Sequence, residues 1–146
     1  MNLRSARFRV DSGVTLPAEG ALTVALEVMA PEQPLPIALV CLPGGAMTRR
    51  YFDLQVPRDD SFSFARQMAR RGFICVLIDH LGVGESSRPA DGYALSADVL
   101  ARANARATDE ALGRIRNGSM INGLAYIPEV KSIGVGHSMG AMLTVI

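Results

Sequence analysis

Two short runs, Ile37–Leu42 and Phe73–Ile78, are apolar at every position, and each ends in a loop that contains glycine. A strand with one wet face alternates polar and apolar residues. A run that does not alternate must be covered on both sides. The chain around these runs reads as helices. One spans Ser61 to Arg70, with Asp59, Asp60 and Ser61 as N-cap candidates and Arg70, Arg71 and Gly72 at its close. Another spans Ser96 to Arg116, with Leu95, Val99, Ala103, Ala107, Ala111 and Ile115 as a narrow apolar stripe and Asn117-Gly118 as its stop. Ala21–Met29 is a further strand, ended by Glu32-Gln33-Pro34-Leu35-Pro36, and Lys131–Val135 is a third buried strand that leads into a helix. Apolar strands alternating with helices predict an α/β fold, a mostly parallel sheet with helices on both faces. The chemistry of such sheets lies at the carboxyl ends of the strands. The glycine-containing loops after Leu42, Ile78 and Val135 occupy that position.

The remaining composition narrows the function. The 146 residues suffice for one domain, and no repeat or low-complexity tract divides them. With 15 basic and 14 acidic residues the net charge is +1, which argues against a nucleic-acid or anionic-membrane binder. Aromatic residues make up 5% of the chain and Trp is absent, so a base-stacking platform is not expected. No apolar run has the length of a membrane span or a signal peptide. Cys41 and Cys75 lie in strand-like runs and form neither a disulfide framework nor a zinc spacing. They read as buried small hydrophobes. The expectation is a cytoplasmic domain without metal or cofactor.

Gly136-His137-Ser138-Met139-Gly140 matches G-x-S-x-G between a strand and a helix. A nucleophilic serine must stand clear of the sheet on a tight, strained turn. Side chains at the flanking positions would strike neighbouring backbone, and glycines at 136 and 140 remove them. The same turn aims N–H groups from the helix start, that of Met139 among them, at a reacting carbonyl oxygen. Leu42-Pro43-Gly44-Gly45-Ala46 offers small residues past which such an oxygen could approach a second backbone donor.

These residues resemble the α/β-hydrolase fold superfamily, in its serine-nucleophile branch. Three motifs carry the resemblance in the family's order: Pro43-Gly44-Gly45, then Asp79-His80-Leu81-Gly82-Val83-Gly84-Glu85-Ser86, then the Ser138 turn. The resemblance implies that Ser138 is the nucleophile and that Gly45 and Met139 are the oxyanion donors. Pro43 stands where many members carry His, which leaves Ala46 as an alternative to Gly45. Asp79 is expected to shape its loop through an Asx-type hydrogen bond rather than act as the catalytic acid. His137 points away from its neighbour and reads as structural, and His80 could reach the pocket rim. The arginines read as a solvated face, with Arg49-Arg50 a candidate for drawing anionic substrates to the site.

In the family, an acid and then a histidine follow the nucleophile. Neither lies between Ser138 and Ile146. The expectation is therefore an amino-terminal part, residues 1–146, of a single α/β-hydrolase domain. The later strands, acid and histidine would be absent, and the Val135 strand would be an open edge prone to aggregation. The function implied is a serine hydrolase, such as an esterase, acting on a small-molecule ester, thioester or related carbonyl substrate. Haloalkane-dehalogenase-like chemistry is disfavoured, because those relatives carry Asp at the turn. Two other readings stand beside it. One is a non-catalytic or truncated hydrolase-like protein. The other is a dinucleotide-binding domain, in which Gly134, Gly136 and Gly140 cradle a pyrophosphate.

Overall fold

A computed structural model describes residues 2–146. Five strands form one sheet in the order β1-β2-β4-β3-β5: β1 (Leu3–Leu16), β2 (Gly20–Pro31), β3 (Ile37–Leu42), β4 (Ile74–Ile78) and β5 (Lys131–Gly136). Strands β4, β3 and β5 run parallel, with β5 at the edge, and β1 and β2 join antiparallel as a hairpin on the β4 side. Helix α1 (Phe64–Arg70) packs with Met29, Leu39, Cys41, Cys75 and Leu77 on one face. Helices α2 (Ala97–Arg116) and α3 (Met139–Leu143) pack on the other, with Val28, Val40, Val76 and Ile78. Helices thus cover both faces, as expected. Among the described residues no helix is long and apolar enough to cross a membrane.

Strand β1 has no counterpart in the sequence reading, which places its first strand at Ala21. Its residues alternate: Ala6, Phe8, Val14 and Leu16 lean on the core and Val10 is buried within it, while Arg7, Arg9 and Asp11 are exposed. A bulge between Asp11 and Thr15 shifts the register, with Gly13 at φ +72°. Arginines on this outer strand discourage pairing with another chain.

Helix α1 begins three residues later than expected. Ser63, not Asp59, Asp60 or Ser61, is its N-cap, and its side chain accepts from the Arg66 N–H. The reason is competition. Asp59 accepts from the Ser61 N–H in a local turn, and Asp60 pairs with Arg70. The buried carboxylate of Asp53 instead holds the helix start, accepting from Ser63 Oγ at 2.6 Å and Arg66 Nε at 2.8 Å. Burial pushes the Asp53 pKa up, but hydrogen bonds from Arg66, Ser63 and Gln55 outweigh it and hold the value below the usual one.

Helix α2 matches expectation, capped by Ser96 and ended at Asn117. Its buried face is wider than the four-residue stripe and includes Leu100, Ala101, Asn104 and Leu112. Strand β5 departs further. It was expected to be buried, yet Lys131 to Gly134 are exposed, with Ile133 at 50%. The strand pairs with β3 alone, so its outer edge and much of both faces lie open.

Candidate active site

Three loops meet at the carboxyl ends of β3, β4 and β5, and each is tied to another. The Gly136–Gly140 turn is joined to β3 through the His137 N–H, which donates to Leu42 O at 3.1 Å. Ser138 sits at φ 51°, ψ −121°, a strained backbone for a residue with a Cβ. The sequence expectation that glycines must flank it has a direct steric basis. A Cβ on Gly136 would lie 2.3 Å from Ala141 Cα, and one on Gly140 would lie 2.0 Å from Leu42 O. Ser138 itself is exposed, and its side chain caps no backbone N–H.

Around the turn, the Gly45 and Met139 backbone N–H groups donate to no protein acceptor among the described residues. The Met139 side chain reaches the Gly45 loop, since a Cβ on Gly45 would stand 3.7 Å from Met139 Sδ. Ala46 has φ 59°, and the Met47 N–H closes the loop onto Gly44 O at 3.1 Å.

The second loop follows β4 and is built on Asp79, which is fully buried. One Asp79 oxygen accepts from the Arg49 N–H at 2.7 Å. The other accepts from the Glu85 N–H at 3.0 Å and pairs with the Arg49 guanidinium. Asp79 thus shapes its loop as expected, but through the Glu85 N–H six residues on rather than an Asx-type bond, and with Arg49 as its charged partner. Gly84, at φ +58°, brings its backbone against this carboxylate, and a Cβ there would lie 2.2 Å from Asp79 Oδ2. Ser86 Oγ donates to Asp79 O at 2.7 Å and accepts from the Ala25 N–H, stitching the loop to β2.

Arg49 corrects the expectation of a solvated arginine available to anionic substrates. It is 6% exposed and faces three carboxylates: Asp79, Glu85 at 2.8 Å and Glu27 at 3.7 Å. Burial alone would lower its pKa, but the Glu85 hydrogen bond and the charges of Asp79, Glu85 and Glu27 raise it. The guanidinium is thus neutralised within the protein.

His80 is also structural rather than a group at the pocket rim. It is 1% exposed, with Nε2 2.8 Å from Pro43 O and Nδ1 2.9 Å from Asn104 Nδ2. A carbonyl oxygen only accepts, so Nε2 carries the proton and Nδ1 accepts from Asn104. His80 thereby latches the Pro43-Gly44-Gly45 loop to α2. Asn104, which the sequence reading passed over, supplies that anchor, and its Oδ1 is buried without a partner. A polar residue flanked by Ala103 and Ala107 on the apolar side of a helix was its signal.

His137 stacks on Tyr51, with ring centroids 4.6 Å apart and planes 26° from parallel. Its Nδ1 is buried without a hydrogen-bond partner. Both cysteines are buried, and burial pushes their thiol pKa values up, that of Cys75 to about 12. Neither is a reactive thiolate. Among the described residues no group of His, Cys, Asp or Glu is arranged to hold a metal ion.

Residues 39–146 match the family described as the alpha/beta hydrolase family. The chain belongs to that family. Among solved structures it is similar to a probable hydrolytic enzyme from Pseudomonas aeruginosa, with a TM-score of 0.64 and 24% identity over 94% of this chain and 35% of that one. It is also similar to a proline iminopeptidase from Mycobacterium smegmatis, with a TM-score of 0.64 and 20% identity over 94% and 37%. An epoxide hydrolase from Vigna radiata gives a TM-score of 0.61 and 15% identity over 97% and 33%. At these identities the likeness establishes the fold. The chain spans about a third of the length of each of these proteins. No curated protein matches the sequence.

Proposed function

We propose that this chain carries the nucleophile half of a serine hydrolase acting on a small-molecule ester, thioester or related carbonyl substrate. We propose further that residues 1–146 are the amino-terminal part of a single hydrolase domain whose acid and histidine lie outside them. The single observation behind this reading is the Ser138 turn: an exposed serine at φ 51° between β5 and α3. The Met139 N–H follows it directly in the chain, and neither that group nor the Gly45 N–H donates to a protein acceptor among the described residues.

The chemistry follows from that arrangement. Ser138 Oγ attacks the carbonyl carbon as its proton passes to a histidine, and the C=O π pair moves onto oxygen. Gly45 and Met139 N–H groups hold the oxyanion. Collapse expels the leaving group, which takes the proton, and leaves an acyl ester on Ser138. Water then releases the acyl group and restores the hydroxyl. No step needs a metal or cofactor. Ser138 rather than an acidic residue at this position favours acyl transfer over displacement at an alkyl carbon.

The test uses the full-length protein, a p-nitrophenyl ester and a fluorophosphonate probe. Wild type is expected to turn over the ester and to gain the probe mass on Ser138. Ser138→Ala should lose both, with turnover down by roughly 10⁴- to 10⁶-fold. Undiminished turnover in Ser138→Ala overturns the assignment.

A second reading, a non-catalytic hydrolase-like protein, has one observation in its favour. His80 is locked in the scaffold, and His137 is packed between Tyr51 and Gly44. Failure of wild-type Ser138 to capture the probe supports it. The dinucleotide reading loses its footing at the glycines. The space beside Gly134, Gly136 and Gly140 is filled by Thr144, Ala141 and the backbone oxygens of Leu42 and Pro43.

A further inference from the structure

The nucleophile turn and the oxyanion loop belong to different strands, so their N–H groups converge only if something holds the two loops at a set spacing. His137 lies at that junction. Its N–H is bonded to Leu42 O, and its carbonyl accepts from the Gly140 N–H at 2.9 Å. Its ring occupies the gap between the loops, since a Cβ on Gly44 would lie only 2.8 Å from His137 Nδ1. That nitrogen has no hydrogen-bond partner. The ring is therefore oriented by packing, and the packing partner on its face is Tyr51, stacked at 4.6 Å.

The Tyr51 backbone is held in place, although the residue is 46% exposed. It closes a turn of 3-10 helix, Arg49–Tyr51, whose N–H bonds run from Tyr51 to Thr48 O and from Phe52 to Arg49 O. The first residue of that turn is Arg49, anchored in the buried cluster with Asp79. On its far side Tyr51 meets Phe52 edge-on at 5.1 Å, and Phe52 meets Phe64 at the start of α1 at 5.8 Å. A continuous line of rings thus backs His137 from the scaffold.

We propose that Tyr51 is a positioning residue that clamps His137 against Gly44 and so sets the spacing between the Gly45 and Met139 oxyanion donors. The inference rests on the proposed roles of Ser138, Gly45 and Met139. Oxyanion stabilisation is sensitive to small displacements of the donors, because their contacts strengthen as charge develops on the oxygen. Loss of the clamp therefore acts on kcat rather than on KM. The stack is made by the ring, and no hydrogen bond is formed by the Tyr51 hydroxyl among the described residues, so phenylalanine should replace it.

The experiment compares Tyr51→Leu and Tyr51→Phe in the full-length protein with a p-nitrophenyl ester, fluorophosphonate capture at Ser138 and the NMR shifts of the His137 ring protons. Tyr51→Leu is expected to lower kcat and the capture rate about two- to tenfold with KM unchanged. Tyr51→Phe should match wild type. The His137 ring protons should lose their stacking shift in Tyr51→Leu and keep it in Tyr51→Phe. Wild-type kcat in Tyr51→Leu overturns the clamp. So does a raised KM at constant kcat, which would make Tyr51 a substrate contact, or equal impairment of Tyr51→Phe. If wild type neither captures the probe nor turns over ester, the nucleophile reading fails instead. The stack is then judged by the ring shifts alone, and unchanged shifts in Tyr51→Leu overturn it.

Discussion

Strands β4 and β5 flank the same neighbour, β3, in the same parallel sense, yet they live in different environments. Every residue of β4 from Ile74 to Ile78 is buried, while in β5 only Val135 is even partly covered. Part of the difference lies in composition, since β5 contains Lys131, Ser132 and two glycines. Most of it lies in what stands beyond. The β1–β2 hairpin pairs with the far edge of β4, and α1 and α2 close its faces. Beyond β5 there is no further strand in these 146 residues. Burial is conferred by neighbours, and a strand's own sequence states only what it could tolerate. The loops inherit the contrast. The loop after β4 is anchored by the buried Asp79–Arg49 pair, whereas the turn after β5 presents an exposed serine.

The largest effect should come from the buried flank. Arg49→Met leaves Asp79, fully buried, facing no cation, and breaking such a pair from one side costs about 3–5 kcal/mol. Chemical denaturation of the 146-residue chain should show that loss, and a cost below about 1 kcal/mol would mean that the cluster is open to water. A matched pair then measures the contrast itself. Ile78→Ala on β4 should cost about 2–5 kcal/mol, whereas Ile133→Ala on β5, half exposed, should cost less than about 1 kcal/mol. Equal costs would show that the outer face of β5 is covered in solution. The same pair measured in a longer chain would reveal any strand that joins β5.

The fold was largely legible because its strongest signals are local. Runs that are apolar on both faces at 37–42 and 73–78 report a covered, parallel sheet, and Ser96 and Asn117-Gly118 bracket α2 by capping chemistry alone. Strand β1 was legible but passed over. Its period-two alternation from Ala6 to Leu16 is interleaved with arginines, so no apolar run draws the eye. The Ser138 turn could be read because its glycines answer to steric demands within a few residues. Arg49, Tyr51 and Asn104 could not be read in the same way. Their partners Asp79, His137 and His80 lie 24 to 86 positions away, and only the folded chain brings them together.

The smallest expected effect is graded with pH and belongs to the covered side. Asp53 titrates below its ordinary value of 3.8 in the folded chain, so the folded state binds fewer protons than the unfolded one as the carboxyl titrates. Its contribution is fully present above the ordinary value and is lost as the pH falls through the lower, folded value. Asp53→Asn should flatten that part of the acid unfolding curve followed by circular dichroism. An unchanged acid limb would mean that Asp53 keeps its ordinary titration.

The backbone of Ser138 carries a wider consequence. A residue at φ 51°, ψ −121° does not rest there unaided. The turn that holds it is fixed to β3, through the His137 N–H bonded to Leu42 O and the Gly140 backbone packed against the same oxygen, and that seat forms only when β5 has paired with β3. A copy that is still assembling, or that has slipped, would let the serine relax into an ordinary conformation and become as quiet as any other surface hydroxyl. Under the proposed function, chemical competence at Ser138 would therefore depend on correct assembly of the sheet.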